Sequence, residues 1–524
     1  MVVVGSGFGG AVLACRLAEA GRRVLVLERG REWHPDSYPR DAADAWVWDQ
    51  RAPHRCSGWV DLRVFRGMTV VQGAGVGGGS LIYANVFVEA EPWVFERGWP
   101  RSITHETLAP HYETTGRMLA AQTLPAGQLT PRTELMREGA AAIGAAERFR
   151  LLPLAVTFDP GWHAGLDDPT GEHHSRPFVN AHGARQGTCV HCGNCDIGCR
   201  VQAKNTLDLN YLALARRHGA EIRPLHMVRR LTPLDRGYRL DFDRIVPEET
   251  RAVPGAVEAD RVVLAAGSLG STELLLRARD EHRTLTRLSP RLGHRWCSNG
   301  DFLTPAIYRD RTLSPTRGPT ISAAIDFLDG ARGGHRFFVE DGGFPNLFGN
   351  GIEALARRAS GVGGMLAALL GGLARHARAD DPLDCVMPWF GQAADESDGR
   401  LRLGQRWWWP FGAPELRLDW DVARSLPTVQ ALVDAHLELS RATGGDAVEP
   451  AYWKWGKDLV TPHPLGGCAM ADDPAHGVVD AAGEVFGHPG LHVADGAIVP
   501  RSIGLNPSRT IAALAEHIAA RMVA

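Results

Sequence analysis

Short apolar runs closed by glycine set the rhythm of this chain. Val2-Val3-Val4 is apolar at every position, the pattern of a strand covered on both faces. Gly5-Ser6-Gly7-Phe8-Gly9-Gly10 reads as a turn, and Ala11 to Glu19 as a helix. A second apolar run, Val24 to Leu27, ends in Glu28. This order predicts one βαβ unit. The same rhythm returns in the buried run Asp260 to Ala266, the turn Gly267-Ser268-Leu269-Gly270-Ser271 and a helix from Thr272 to Arg277. It closes the chain, with a strand Gly490 to Ala494, then Asp495-Gly496, a loop, and a helix Pro507 to Met522. Between these lie an expected helix, Asn205 to Ala215, and a strand at Glu221-Ile222-Arg223. Residues 93–180 read as mixed helix and loop, and 280–455 as a less regular, separate lobe.

The first turn has the chemistry of a dinucleotide site. Gly5 permits a tight turn, Gly7 lets the backbone approach a pyrophosphate, and Gly10 lets helix and strand pack closely. The pyrophosphate then meets the unpaired N–H groups and positive end of the helix dipole. Glu28 stands where an acid can accept hydrogen bonds from a ribose. A second glycine block, Gly73-Ala74-Gly75-Val76-Gly77-Gly78-Gly79-Ser80-Leu81, marks backbone held against a ligand or another segment. Its flanks, Thr69-Val70-Val71 and Leu81-Ile82-Tyr83, are too apolar for a flexible linker.

Composition changes this picture little. With 524 residues the chain calls for two or more domains. A net charge of −3 points to neither nucleic acid nor an anionic membrane as partner. Met1 leads straight into the first strand, so no signal peptide is visible and a cytoplasmic location is expected, unless an upstream stretch is missing. The longest apolar stretch, Gly361 to Ala374, is too short and glycine-rich to span a membrane. It reads as a loop or short helix near a pocket. Trp407-Trp408-Trp409 reads as core or domain interface.

These pieces together resemble the glucose–methanol–choline (GMC) family of flavoprotein oxidoreductases. The resemblance rests on the opening fingerprint, Gly75-Val76-Gly77-Gly78-Gly79-Ser80, the segment VVLAAGSLGS, His463-Pro464-Leu465-Gly466-Gly467 and Asn506-Pro507. The wording of HPLGG and of VADGAIVPRSIGLNPSRTIAALAE is most similar to the branch of bacterial cholesterol oxidases. It implies an α/β fold: a Rossmann-like FAD-binding domain with a second, α+β substrate-binding domain. The FAD domain is expected from residues 1–92, 181–280 and 456–524, and the substrate lobe from 93–180 and 281–455. By the same resemblance, Gly5, Gly7, Phe8, Gly10 and Glu28 hold the ADP half, and Val228 meets the adenine through its backbone. Gly75, Gly77, Gly78, Ser80 and Asn85 lie along the flavin. Gly267, Asp495, Gly496, Asn506 and Pro507 close over the pyrophosphate and the ribityl–flavin end.

The implied reaction is oxidation of an alcohol: a hydride leaves the carbinol carbon for flavin N5, and a proton leaves the hydroxyl. The resemblance gives the proton to His463 and the hydroxyl oxygen to Asn506. The expected substrate is a hydrophobic secondary or sterol-like alcohol, with oxygen as acceptor. The other enzyme reading is a dehydrogenase of a sugar or natural-product alcohol that passes electrons to a protein or quinone. A non-catalytic flavin-binding protein is the third class. The glutamate with which cholesterol oxidases also isomerise a double bond is absent near Leu383-Asp384, so Asp384 is the only stand-in and plain oxidation is favoured.

One motif stays outside that scheme. Cys189, Cys192, Cys195 and Cys199 have the spacing of a bacterial ferredoxin run, with Arg200 where a proline is usual. Three readings stay open: an iron–sulfur cluster, a structural zinc, or unligated structural cysteines. Cys56, Cys297, Cys385 and Cys468 are isolated and read as buried apolar residues.

Overall fold

The computed structural model describes residues 1–41, 43–345, 383–405, 413–450 and 452–523. The apolar stretch 361–374 and the tryptophans 407–409 lie outside these residues.

The glycine-punctuated runs assemble into one parallel sheet. Its strands are ordered Leu491–Val493, Val262–Leu264, Val2–Val4, Leu25–Leu27 and Glu221–Arg223. Every neighbouring pair is parallel. Val2–Val4 lies in the middle and is buried along its whole length, which explains why polar positions do not alternate there. The chain leaves Val2–Val4 toward Leu25–Leu27 on one side, while Val262–Leu264 flanks it on the other. That reversal is a topological switch point, where parallel sheets bind ligands beyond the strand C-termini.

Helices Phe8–Glu19, Tyr211–Arg217 and Ser508–Val523 are tied together over the sheet. Arg16 grips Glu516 through Nε and Nη2, both 2.8 Å contacts, and Tyr211 donates to the same carboxylate at 2.7 Å. An antiparallel meander of His226–Pro233, Tyr238–Val246 and Arg251–Ala259 follows the last strand of the sheet and carries Val228.

The described residues of 280–455 are more regular than their sequence pattern implies. An antiparallel sheet runs in the order Asp446–Ala447, Phe302–Ile307, Val386–Ala393, Phe337–Asp341, Ala323–Asp326 and Phe149–Leu151. Helices Pro131–Ala142 and Leu426–Ala442 pack on it. Its strands escape a period-two reading because residues such as Phe337, Phe338 and Val339 are buried on both faces. A smaller sheet of Leu459–Thr461, Met68–Gly73, Val60–Phe65 and Val47–Trp48 stands beside it and leads into His463. No helix among the described residues is long and apolar enough to cross a membrane.

Candidate active site

A cavity of about 1730 Å³ starts at the switch point and reaches the antiparallel sheet. Single ligand sites span roughly 300–1,000 Å³, so this one has room for a dinucleotide and a substrate together. One end is lined by Gly5, Ser6, Gly7, Phe8, Glu28 and Val228. The other end is lined by Phe302, Leu303, Ile321 and Phe390, with His463 and Asn506 on the wall.

Backbone contact shapes the nucleotide end. Gly5 has φ +97°, and a Cβ there would meet Ala265 O at 2.3 Å. At Gly10 a Cβ would come within 2.1 Å of Gly5 O, so helix and strand close directly on each other. The matching point of Gly7 is open, with Gly78 Cα nearest at 3.9 Å. Helix Phe8–Glu19 has no side-chain cap at Gly7, which leaves its first N–H groups for an anion. Glu28 is largely engaged by protein: its carboxylate accepts Ser6 N at 3.0 Å, Ser6 Oγ at 2.7 Å and Gly30 N at 2.9 Å. Asp495 likewise holds the second turn. It accepts Ala497 N at 2.8 Å, Gly267 N at 2.9 Å and Ser271 Oγ at 2.5 Å, while burial pushes its carboxyl up to about 6. An uncapped helix facing an elongated cavity is the shape a bound FAD requires, and the residues present fit it. Gly267, Asp495, Gly496 and Pro507 all reach the cavity wall.

Part of the second glycine block lies behind that wall. Gly73, Gly78 and Gly79 line the cavity, whereas Gly75, Gly77, Ser80 and Asn85 do not. Gly75 is packed against the Trp33 ring, where a Cβ would sit 2.5 Å from Cδ1. Gly77 donates its N–H to Ser6 Oγ at 3.1 Å. Ser80 Oγ donates to Gly77 O at 2.7 Å and accepts Leu207 N at 3.1 Å. Asn85 is fully buried at φ +67°, a left-handed conformation that asparagine tolerates better than most residues. Gly10 is also absent from the lining, because the Gly5 carbonyl covers it. These residues build the turns that shape the site.

The chemistry-bearing pair is held by a segment that the sequence reading passed over. His463 follows the strand Leu459–Thr461, and its Nδ1 lies 2.7 Å from Asp301 Oδ1. The Asp301 side chain is 0% exposed and the His463 side chain 17%. The carboxylate fixes the ring with its proton on Nδ1, so Nε2 carries the lone pair. Thr461 Oγ1 stands 2.6 Å from Asp301 Oδ2 and accepts the His463 N–H at 2.8 Å. Two residues earlier, Asn299 anchors the loop before Asn506. Its Oδ1 accepts Ile503 N and Gly504 N at 3.0 Å each, and its Nδ2 donates to Leu505 O at 2.8 Å. Ser298-Asn299-Gly300-Asp301 therefore positions both residues, though they stand 43 positions apart in sequence (506 − 463). A polar run just before an apolar strand was the available signal.

A second missed acid backs Asn506. Glu340 is fully buried, accepts Gln392 Nε2 at 2.8 Å, and has the Asn506 side chain as a hydrogen-bonding neighbour. Burial pushes its carboxyl up to about 8, with the Asp301 and Asp341 charges adding to the rise. Asp384 does not line the cavity.

Cys189, Cys192, Cys195 and Cys199 are free thiols in this structure. Among the described residues no three His, Cys, Asp or Glu side chains meet where a metal ion could sit. None of the four cysteines is in a disulfide. Backbone N–H groups hold two of the sulfurs: His191 N donates to Cys189 at 3.4 Å and Ala203 N to Cys199 at 3.2 Å. Burial pushes the Cys192 thiol up to about 12, so it stays protonated at neutral pH. The iron–sulfur and zinc readings thus find no support among the described residues.

Residues 395–515 match the family described as GMC oxidoreductase, and residues 3–41 match the NAD(P)-binding Rossmann-like domain. A cholesterol oxidase of Acinetobacter baumannii is 29% identical, over 98% of this chain and 93% of its own. A cholesterol oxidase of Mycobacterium tuberculosis is 31% identical, over 99% and 90%. Paromamine 6'-oxidase of Streptomyces fradiae is 26% identical, over 98% and 89%. Among solved structures, pyridoxine 4-oxidase from Mesorbium loti shares the fold at TM-score 0.65 and 18% identity, covering 99% of this chain and 98% of that one. A fungal aryl-alcohol oxidase does so at TM-score 0.55 and 16% identity, covering 100% and 98%. The chain belongs to the GMC family of FAD-dependent oxidoreductases that act on alcohols, in its cholesterol-oxidase-like branch.

Proposed function

We propose that this protein oxidises a hydrophobic secondary alcohol, sterol-like in character, to its ketone, with oxygen as the electron acceptor. One observation carries the reading: His463 and Asn506 share the cavity wall, and a buried carboxylate already occupies His463 Nδ1. Nε2 is then the acceptor for the hydroxyl proton, and the Asn506 amide holds the hydroxyl oxygen. Bound FAD supplies the hydride acceptor. Asp301 stabilises the imidazolium that forms, as the carboxylate partner of a general base does. Phe302, Leu303, Ile321 and Phe390 shield the apolar body of the substrate from water.

The names of the relatives favour an oxidase. Sugar-like alcohols stay in the panel, because paromamine 6'-oxidase is a relative. Asp384 does not line the cavity, so no part in double-bond isomerisation is proposed for it. The test is oxygen consumption with stoichiometric peroxide, compared with dye reduction, across sterols, long-chain alcohols and sugars. Peroxide formation with a sterol or other hydrophobic secondary alcohol supports the reading. Turnover confined to dye and sugar would replace it with the dehydrogenase.

A further inference from the structure

Side-chain hydrogen bonds hold the cysteine-rich turn. Lys204 Nζ donates to Cys195 O at 2.7 Å, and Trp59 Nε1 to Asp196 O at 3.1 Å. Arg40 donates to Ile197 O and Gly198 O, each at 2.6 Å. Four consecutive carbonyls are thus tied down by three side chains. Such a turn presents whatever it carries at a fixed place. What it carries is Asp196, which lines the cavity.

That carboxylate has spare capacity. Thr320 Oγ1 donates to Oδ1 at 3.3 Å, a long bond. Lys204 is the nearby cation, but its ammonium is committed to Leu81 O, Tyr83 O and Cys195 O. No ion pair to Asp196 occurs among the described residues. An ionised carboxylate offers about four acceptor sites, so most of those on Asp196 are unspent. Thr320 beside it is also fixed: Arg132, itself fully buried, donates to Pro319 O at 3.0 Å and Asp341 O at 2.9 Å. Burial pushes the Asp196 carboxyl up to about 6, the effect of a charge turned away from bulk water. A group in that state is stabilised by a donor arriving with a ligand.

We propose that Asp196, with Thr320, is a second polar subsite of the cavity, which takes a hydroxyl or protonated amine on the substrate at a point other than the carbinol being oxidised. The proposal rests on the alcohol-oxidation reading above and narrows its substrate class. The substrate is bipolar, with a carbinol at His463 and Asn506, an apolar body, and a hydrogen-bond donor at Asp196.

The test uses holoenzyme and two matched probe series, one steroid and one linear. Each contains a secondary mono-ol, the same skeleton with a second hydroxyl at its far end, and the same skeleton with an amine there. Binding is read under anaerobic conditions as the ligand-induced rise in melting temperature, which registers binding whether or not reaction follows. Flavin bleaching is read in parallel. In the wild type the diol or amino alcohol binds about tenfold tighter than the mono-ol in at least one series, the range of a hydrogen bond to a charged group. Asp196→Asn loses the preference for the amine, and Asp196→Leu levels all three ligands while mono-ol binding is kept. Thr320→Val weakens the preference without removing it. A wild-type preference under twofold in both series overturns the proposal, as does a preference unchanged in Asp196→Asn. A fall in FAD content in these variants without loss of ligand discrimination also overturns it, because Asp196 would then serve the cofactor. Asp196-dependent discrimination with no flavin bleaching by any probe would instead sink the alcohol-oxidation reading and leave the subsite standing.

Discussion

Replacing Asp301 by asparagine isolates the contribution of one buried charge. The side chain keeps its size and can still accept a hydrogen bond from His463 Nδ1 through its carbonyl. What disappears is the negative charge 2.7 Å from the ring nitrogen, on a carboxylate with 0% exposure. In the proposed reaction that charge matters most once His463 has taken the hydroxyl proton. Two unit charges centred about 4 Å apart interact by about 4 kcal/mol at an effective dielectric near 20. The full term corresponds to roughly 10³ in rate, at about 1.4 kcal/mol per tenfold. Proton transfer is incomplete in the transition state, so a loss of roughly 10²–10³ in the flavin reduction rate is expected. The assay is anaerobic stopped-flow reduction, with substrate saturation separating the limiting rate from the binding constant. The binding constant should change by less than about threefold, because Asp301 acts through His463. A limiting rate within threefold of wild type would refute the reasoning, as would a loss appearing only in binding.

Three other outcomes follow from the same geometry. His463→Ala and Asn506→Ala should each lower turnover by about 10²–10⁴, with FAD absorbance unchanged in the purified protein; near-normal turnover removes that residue from the mechanism. Glu340, raised by burial from 4.5 to about 8, favours its neutral form in the fold. Its stabilising effect is complete below the lower value and is lost as pH rises through the higher one, at about 1.4 kcal/mol per unit between them. Glu340→Gln should therefore flatten the fall of denaturation midpoint over that window, and an unchanged slope would show that Glu340 is not the titrating group. A Cβ at Gly9 would lie 1.5 Å from Ala494 O, whereas one at Gly79 meets nothing within 4 Å. Gly9→Ala should cost FAD binding or folding outright, and Gly79→Ala should leave the melting temperature of the apoprotein within a few degrees.

The sequence made the nucleotide end legible because local rules govern it. A strand, a glycine turn and a helix each announce themselves within a few residues, and Val2–Val4, Phe8–Glu19 and Leu25–Leu27 stand close to where the pattern puts them. His463 and Asn506 stood out through resemblance, and both reach the cavity wall. The other half of the site was hidden because its logic is long-range. Asp301 meets His463 across 162 positions, and Asn299 holds the Asn506 loop from 206 positions away. Neither spacing leaves a periodic trace. Glu340 was hidden because it adjoins Asp341 at the end of a short apolar strand, where two neighbouring acids read as the start of a polar turn. Asn85 and Ser80 stand behind the cavity wall: a glycine-rich block marks close approach of backbone, but not which side of it faces the cavity. The cysteine spacing was suggestive of a cluster, yet spacing alone does not bring ligands to a common centre, and no metal-binding group forms among the described residues.

The central claim is that His463, oriented by Asp301, takes the hydroxyl proton of a hydrophobic alcohol beside the flavin. Anaerobic mixing of the FAD-loaded enzyme with a sterol or other hydrophobic secondary alcohol tests it directly. The account predicts bleaching of the flavin absorbance in the wild type and retention of the oxidised spectrum in His463→Ala with ligand still bound. Bleaching at comparable rates in both proteins would contradict it.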